Sequence, residues 1–265
     1  MAKIEVMDVS LEYNDGEESF LALENINLTI DQGEFVCVIG PSGCGKSTLL
    51  SLMGGFIFPT KGKITIDSCE VRGPGKDRCV VFQHYSLFAW FTAIQNVALG
   101  VKQVAGRLSS KEINDISRDA LEKVGLGDYA NKYPYQLSGG MQQRVAIARG
   151  LAMNPQILLM DEPFGAIDTR NRLDLQDLLL DLCARDENRK TVVFITHDVD
   201  EAIYLADRIV FMNPKVVTED IRVNFGNSRN RDEIFASDAF MKLQRHLVSL
   251  FYRHLEKKIW KNVAL

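Results

Sequence analysis

Residues 34–55 read EFVCVIGPSGCGKSTLLSLMGG, an apolar run that breaks into glycines and then resumes with helical character. From Phe35 to Ile39 every residue is apolar, the pattern of a strand covered on both faces. Gly40, Pro41, Ser42, Gly43, Cys44, Gly45, Lys46 and Ser47 then fill the pattern G-x-x-x-x-G-K-[ST], and Thr48 leads into the predicted helix. The chemistry needs each part. Glycines let the loop curl so that successive backbone N–H groups point inward at phosphate oxygens, and the helix that begins near Lys46 adds its positive end. Lys46 is placed to reach the β- and γ-phosphates, and the Ser47 hydroxyl to ligate Mg²⁺. A glycine-rich turn that contained GKS by chance would lack the flanking strand and helix.

Two further stretches carry chemistry. Ile157, Leu158, Leu159 and Met160 precede Asp161 and Glu162, so a buried strand delivers two carboxylates to the sheet edge where open α/β sheets bind ligands. Asp161 is placed to hold Mg²⁺ through water, and Glu162 to act as general base on the attacking water. The stretch LSGGMQQR, residues 137–144, precedes the helical run VAIARGLAM, with Ser138 as N-cap and Gly139 and Gly140 free to approach a ligand closely. That is a second anion-binding helix start. One nucleotide does not easily use both on one small chain, so Ser138, Gly139 and Gly140 are expected to meet the γ-phosphate of a nucleotide held by another chain.

Outward from these, IEVMDVSLEY and LALENINLTI alternate apolar and polar residues around the break NDGEES, which predicts an antiparallel hairpin or meander. Val80 to Phe82 read as another apolar strand. From 84 to 153 the pattern is helical, and SSKEINDISRDALEKVGL has a Ser N-cap region, apolar Ile113, Ile116, Leu121 and Val124, and a closing Gly125. Strands return in PQILLMDEP and KTVVFITHD, separated by the helical TRNRLDLQDLLLDLCARD, which is α/β wiring with right-handed crossover. Phe240, Leu243, Leu247, Leu250, Phe251 and Leu255 form a final helical stripe.

LSGGMQQR between the phosphate loop and LLMDEP, with Gln83 after VVF, Gly165-Ala166-Ile167-Asp168 after DEP, and His197 in FITHD, resembles the ATP-binding cassette subunits of ABC transporters. The resemblance covers about residues 4–250. It implies an α/β, RecA-like P-loop NTPase core with an antiparallel β subdomain and an inserted α-helical subdomain. The cassette would span 1–235, with helices at about 84–153, and 236–265 would be a helical extension docked on it. It also implies ATP and Mg²⁺ as ligands, with Tyr13 stacking on adenine, Gln83 as a lid-loop Mg²⁺ ligand, Gln142 beside Ser138 at the nucleotide, Asp168 as a dimer contact and His197 touching the γ-phosphate. The implied partners are integral-membrane permease subunits, a second copy of the cassette and, indirectly, an extracytoplasmic substrate-binding protein. The implied place is the cytoplasmic face of the plasma membrane. Gly73-Pro74-Gly75-Lys76-Asp77-Arg78 and the wording of 87–97 resemble the nitrate, sulfonate, taurine and bicarbonate importer branch. This sequence departs from that branch at Cys79 for glycine, Ala89 for proline and Ile167 for leucine.

Composition sets the outer bounds. At 265 residues, 46% hydrophobic, 25% charged and a formal charge of −4, the chain reads as an ordinary globular protein with no global electrostatic reason to bind nucleic acid. Five cysteines without a C-x-x-C pair argue against a disulfide framework or a zinc site. No apolar stretch reaches the roughly 18–20 residues of a membrane span, and the opening MAKIEVMDVS lacks signal-peptide design, so a cytoplasmic location is expected. His84, His246 and His254 have no ligand partners at metal spacing. Cys44 reads as a small loop side chain rather than a redox group, and Met241, Phe251 and Trp260 as packing. Two alternatives remain less economical. A soluble cassette ATPase of DNA repair or translation would carry long coiled coils between Lys46 and Ser138 or a second cassette, and a non-hydrolysing sensor would be expected to lack Glu162.

Overall fold

The computed structural model describes residues 3–14, 16, 19–83, 86–104, 106, 108–165, 167–184, 189–226 and 229–263, with the side chains of 182, 184 and 254–263 excepted. His84 and Ala166, and the side chains of His254, Leu255 and Trp260, lie outside this set.

β1 (Ile4–Asn14) and β2 (Ser19–Ile30) form an antiparallel pair in which Ile4 faces Ile30 and Tyr13 faces Phe20. β4 (Lys61–Ile66) and β5 (Cys69–Glu70) extend them into a four-stranded sheet of order β2-β1-β4-β5. The larger sheet contains β3 (Phe35–Ile39), β6 (Arg78–Val81), β7 (Ile157–Asp161), β8 (Thr191–Ile195), β9 (Arg208–Asn213) and β10 (Val216–Arg222). Its order is β10-β9-β3-β8-β7-β6, parallel except for the β9–β10 hairpin. β3, β7 and β8 are buried at all five positions, as strands covered on both faces must be. The period of two divides their side chains between two cores. Phe35, Cys37 and Ile39 join the core under the helical layer. Val36 and Val38 join the one shared by α1 (Lys46–Gly54) and the antiparallel sheet.

The helical insertion contains α2 (Ala93–Val104), α3 (Ser110–Lys123) and α4 (Gly139–Ala152). Ser109 and Glu112 close a reciprocal capping box at the start of α3, and Gly125 follows its end at φ 71°. Two boundaries differ from the sequence pattern. The strand before Gln83 stops at Val81 and leaves Phe82 37% exposed, and helix begins at Ala93 because residues 88–91 form a turn. Asn96, fully buried, holds that turn by accepting from the Phe88 N–H at 2.8 Å and donating to the Phe88 and Phe91 carbonyls.

α5 (Thr169–Ala184) and α6 (Val199–Leu205) connect β7, β8 and β9. α7 (Arg231–Phe235) and α8 (Asp238–Val263) follow the sheet. Phe240, Leu247 and Leu250 of α8 are buried against the body, and Phe251 meets Phe211 of β9 edge-on at 5.0 Å. The three departures from the importer branch fit without disturbance. Cys79 packs its sulfur 3.8 Å from Met153 Sδ beside Gly150, Ile167 is buried, and Ala89 lies on the exposed turn. Among the described residues no helix is long and apolar enough to cross a membrane.

Candidate active site

β3 ends where the chain must turn sharply between the sheet and α1. A Cβ at Gly40 would collide with the Met212 carbonyl, and one at Gly45, at φ 109°, would come within 2.6 Å of Leu23 Cδ2. Gly45 is also the N-cap of α1 and offers no capping side chain, so the helix's first N–H groups have no side-chain cap. Lys46 is 8% exposed and curls back over the loop, its Nζ donating to Gly40 O at 2.8 Å and Pro41 O at 3.0 Å. Ser42, Gly43 and Ser47 line the exposed side, and Thr48 is half-buried. Cys44 is fully buried with Sγ 3.8 Å from Lys46 Nζ. Burial pushes its thiol above the usual range, and the neighbouring ammonium only partly offsets this, so it stays a protonated, small side chain.

β7 delivers the two acids to different neighbours. Asp161 Oδ1 accepts from the Ser47 hydroxyl at 3.1 Å. Burial raises the Asp161 carboxyl; the Ser47 hydrogen bond opposes this, and the negative charge of Glu162 adds to the rise. Glu162 adopts φ 44°, a left-handed conformation that costs a non-glycine residue roughly 1–2 kcal/mol. Its N–H donates to Ile195 O at 3.0 Å, which fixes the turn. Its Oε2 accepts from Gln83 Nε2 at 3.1 Å and lies 3.3 Å from His197 Nδ1. Thus the ends of β6, β7 and β8 converge on one carboxylate, as their parallel register dictates: Val81 pairs Met160, and Asp161 pairs Ile195.

Ser138 caps α4, its Oγ accepting from Met141 N–H at 3.3 Å, and it is exposed. Gln142 turns toward its own loop, donating to Pro134 O at 2.9 Å and Leu137 O at 3.2 Å. Among the described residues no hydrogen bond or ion pair joins Ser138, Gly139, Gly140 or Gln142 to the phosphate loop or to Asp161 and Glu162. Asp168 accepts from the Asn171 N–H at 3.2 Å and from Asn171 Nδ2 at 2.6 Å, and these bonds hold its carboxyl below the usual range. Tyr13 is 44% exposed at the end of β1; Leu23, opposite Leu11 in the same pair, packs on Gly45.

Sequence reading passed over several residues here. Phe20, 59% exposed, faces Tyr13 across the strand pair. Gln143, 1% exposed, donates to Phe82 O at 3.5 Å and ties α4 to the strand end that carries Gln83. Arg172 donates to Ile167 O at 3.3 Å and lies 3.6 Å from Asp198, next to His197. The sequence signal for Gln143 lay in the QQR of the LSGG stretch; for Arg172 and for the strain at Glu162 there was none.

The family model described as ABC transporter matches residues 23–165. The bicarbonate transport ATP-binding protein CmpD of Synechocystis sp. is 43% identical over 95% of this chain and 89% of its own length. The nitrate import ATP-binding protein NrtD of Synechococcus elongatus is 45% identical over 88% of this chain and 86% of its own. The nitrate transport protein NasD of Klebsiella oxytoca is 43% identical over 96% and 98%. Among solved structures, the ATP-binding cassette MJ0796, a dimer in a post-hydrolysis state bound to ADP and Pi, matches with a TM-score of 0.78 and 37% identity over 84% of this chain and all of that one.

Proposed function

The chain belongs to the ABC transporter family and is an ATP-hydrolysing cassette, and we propose that it powers an importer for a small anion of the nitrate, sulfonate or bicarbonate kind. The observation that carries the catalytic reading is the convergence of Gln83 and His197 on the Glu162 carboxylate, beside the Ser47–Asp161 pair.

In this reading Lys46 exchanges the carbonyls of its own loop for the β- and γ-phosphates, and the uncapped start of α1 adds its positive end. Ser47, Asp161 and Gln83 are oxygen donors suited to Mg²⁺, which is held by one or two carboxylates, waters and substrate phosphates rather than an all-protein cage. The donor chemistry fits, and among the described residues no cluster of three or more His, Cys, Asp or Glu competes for a different metal. Bound there, Mg²⁺ neutralises charge building on the phosphates. Glu162 accepts the proton of the attacking water, Gln83 and His197 orient its carboxylate, and His197 also meets the γ-phosphate. Tyr13 stacks on adenine. Ser138, Gly139 and Gly140 complete the site of a second copy, Gln142 holds their loop, and Asp168 lies at the contact between the copies.

The membrane partner is met by the helical insertion. There Phe88, Trp90 and Phe91 form a ring cluster with centroids 5.5–6.2 Å apart, Trp90 is 69% exposed, and Asn96 holds the turn rigid. Such a rigid aromatic knob suits a docking helix of permease subunits at the cytoplasmic face. A substrate-binding protein on the other side acts only through that permease.

The test is ATP-dependent dimerisation of the Glu162→Gln protein, followed by light scattering with and without Gly140→Asp. The added carboxylate faces the partner's γ-phosphate and should abolish the dimer while leaving nucleotide binding by the same chain intact. A dimer that forms equally well sinks the shared site. Uptake of labelled nitrate, bicarbonate and taurine by a strain lacking this chain assigns the cargo, and undiminished uptake of all three refutes the anion reading.

A further inference from the structure

Behind the His197 loop lies a second set of polar groups that phosphate chemistry does not use. Thr196 is 3% exposed, Glu201 6% and Gln176 3%, and they come from the end of β8, from α6 and from α5. Burying three such groups together is costly unless every bond is made. The Thr196 hydroxyl hydrogen-bonds the Glu201 carboxylate and accepts from the Asp198 N–H at 3.0 Å. Glu201 Oε1 accepts from Gln176 Nε2 at 2.8 Å. Gln176 Oε1 in turn accepts from Arg231 Nη1 at 3.1 Å and Nη2 at 3.0 Å. Arg231 opens α7, and it is itself fixed: Nη2 donates to Asp177 Oδ1 at 2.7 Å, and the guanidinium lies 3.9 Å from the centre of the Tyr204 ring.

The chain of bonds has one direction. A guanidinium only donates and an ionised carboxylate only accepts, so a single orientation of the Gln176 amide satisfies both neighbours. Remove Arg231 and only the Glu201 half of that restraint remains; the Gln176 carbonyl is left buried without its donors, so the amide is drawn out of its place against Glu201, and the support of the Thr196–Asp198 backbone on either side of His197 is weakened. Apolar side chains of similar size would join α5 to α6 at no greater cost, so the network fits a role in placing the loop better than one in holding the helices together.

We propose that Glu201, Gln176 and Arg231 are positioning residues for His197, through which the segment after β10 holds the His197 loop in its hydrolysis-competent place. The proposal rests on the reading of His197 as a side chain that meets the γ-phosphate.

The test uses the full-length chain, with single-turnover hydrolysis at saturating MgATP, nucleotide affinity and thermal unfolding measured on each variant. Gln176→Leu and Arg231→Ala should slow hydrolysis roughly 10- to 100-fold, the effect of displacing a reacting group by about 1 Å. Nucleotide affinity should stay within about twofold, since only the chemical step is touched. Glu201→Gln, which still accepts from Gln176, should retain most activity, whereas Glu201→Leu should not. In a His197→Ala background, Arg231→Ala should cause no further loss. Equal losses in both backgrounds, or normal rates with only a lowered melting temperature, overturn the relay while the site reading stands. A His197→Ala protein that hydrolyses normally overturns the site reading and the relay with it.

Discussion

Glu162 offers a test in which stability and chemistry separate. Its carboxylate is expected to be the general base, so Glu162→Gln should cut turnover roughly 10²- to 10⁴-fold. At about 1.36 kcal/mol per factor of ten, this is about 2.7–5.4 kcal/mol of transition-state stabilisation. The fold should hardly notice, because glutamine has the same shape, tolerates φ 44° no worse, and its carbonyl still accepts from Gln83. Glycine at 162 is more informative. It relieves left-handed strain of roughly 1–2 kcal/mol. It also loses the Gln83 bond, about 0.5–1.5 kcal/mol, and loosens the unfolded chain by about 0.4–1 kcal/mol. These terms nearly cancel, so Glu162→Gly should match the wild type in stability to within about 1 kcal/mol. Alanine keeps the strain and loses the bond, and should be the least stable of the three. Urea unfolding and phosphate release at saturating MgATP read the two quantities separately. Near-normal turnover of Glu162→Gln would refute the base assignment, and an alanine variant more stable than the glycine variant would refute the strain argument.

Three further outcomes are expected. Lys46→Ala should weaken nucleotide binding by about 1.5–3 kcal/mol, the worth of a charge-assisted phosphate contact, read by titration with a fluorescent nucleotide. Leu247→Ala, at a fully buried position of α8, should cost about 2–5 kcal/mol in urea unfolding, and a negligible cost would mean that α8 is not part of the core. Burial raises the Glu201 carboxyl above its usual range, so the folded protein binds that proton more tightly than the unfolded chain does, and stability falls as pH rises from the ordinary glutamate range through the raised value. Glu201→Gln removes this penalty, and its melting temperature relative to the wild type should improve as pH is raised through that window.

What the sequence made legible is what phosphate chemistry forces into local spacing. The strand, the loop of Gly40 to Ser47 and the helix after it are contiguous, so Lys46 and Ser47 could be proposed as phosphate and cation groups before any fold was known. Asp161 and Glu162 were legible for the same reason, at the end of an apolar run. Gln83 and His197 were named only through the family resemblance, and their meeting on the Glu162 carboxylate was in no local spacing. Gln83 and His197 reach it only because β6, β7 and β8 pair in parallel at one register, and no window of sequence contains all three. The hairpin of β9 and β10 has an apolar first strand, but its second, VVTEDIR, carries Glu219, Asp220 and Arg222 in a run without clean alternation, so no period marks the pair. Gln176, Glu201 and Arg231 were invisible for a further reason: Gln176 and Arg231 read as ordinary polar positions on helices, and only burial reveals that their hydrogen bonds must go to one another.

The left-handed turn at Glu162 also explains how two adjacent acids avoid one another's work. Had the strand continued, Asp161 and Glu162 would project to opposite faces of the sheet, one of them away from the phosphate loop. Had both turned toward the loop, like charges side by side would have forced them to share a proton, and a protonated Glu162 accepts none from water. Asp161 instead keeps the last place in the ladder and turns to Ser47 on α1, where burial and the neighbouring charge raise it only against the pull of the Ser47 bond. Glu162, released by φ 44°, swings to Gln83 and His197 at the neighbouring strand ends. The strain of that turn is local, and the bond from its N–H to Ile195 O holds it in place. A backbone conformation that no motif encodes is therefore what sends the two acids of one dipeptide to different neighbours, as the proposed division between cation and water requires.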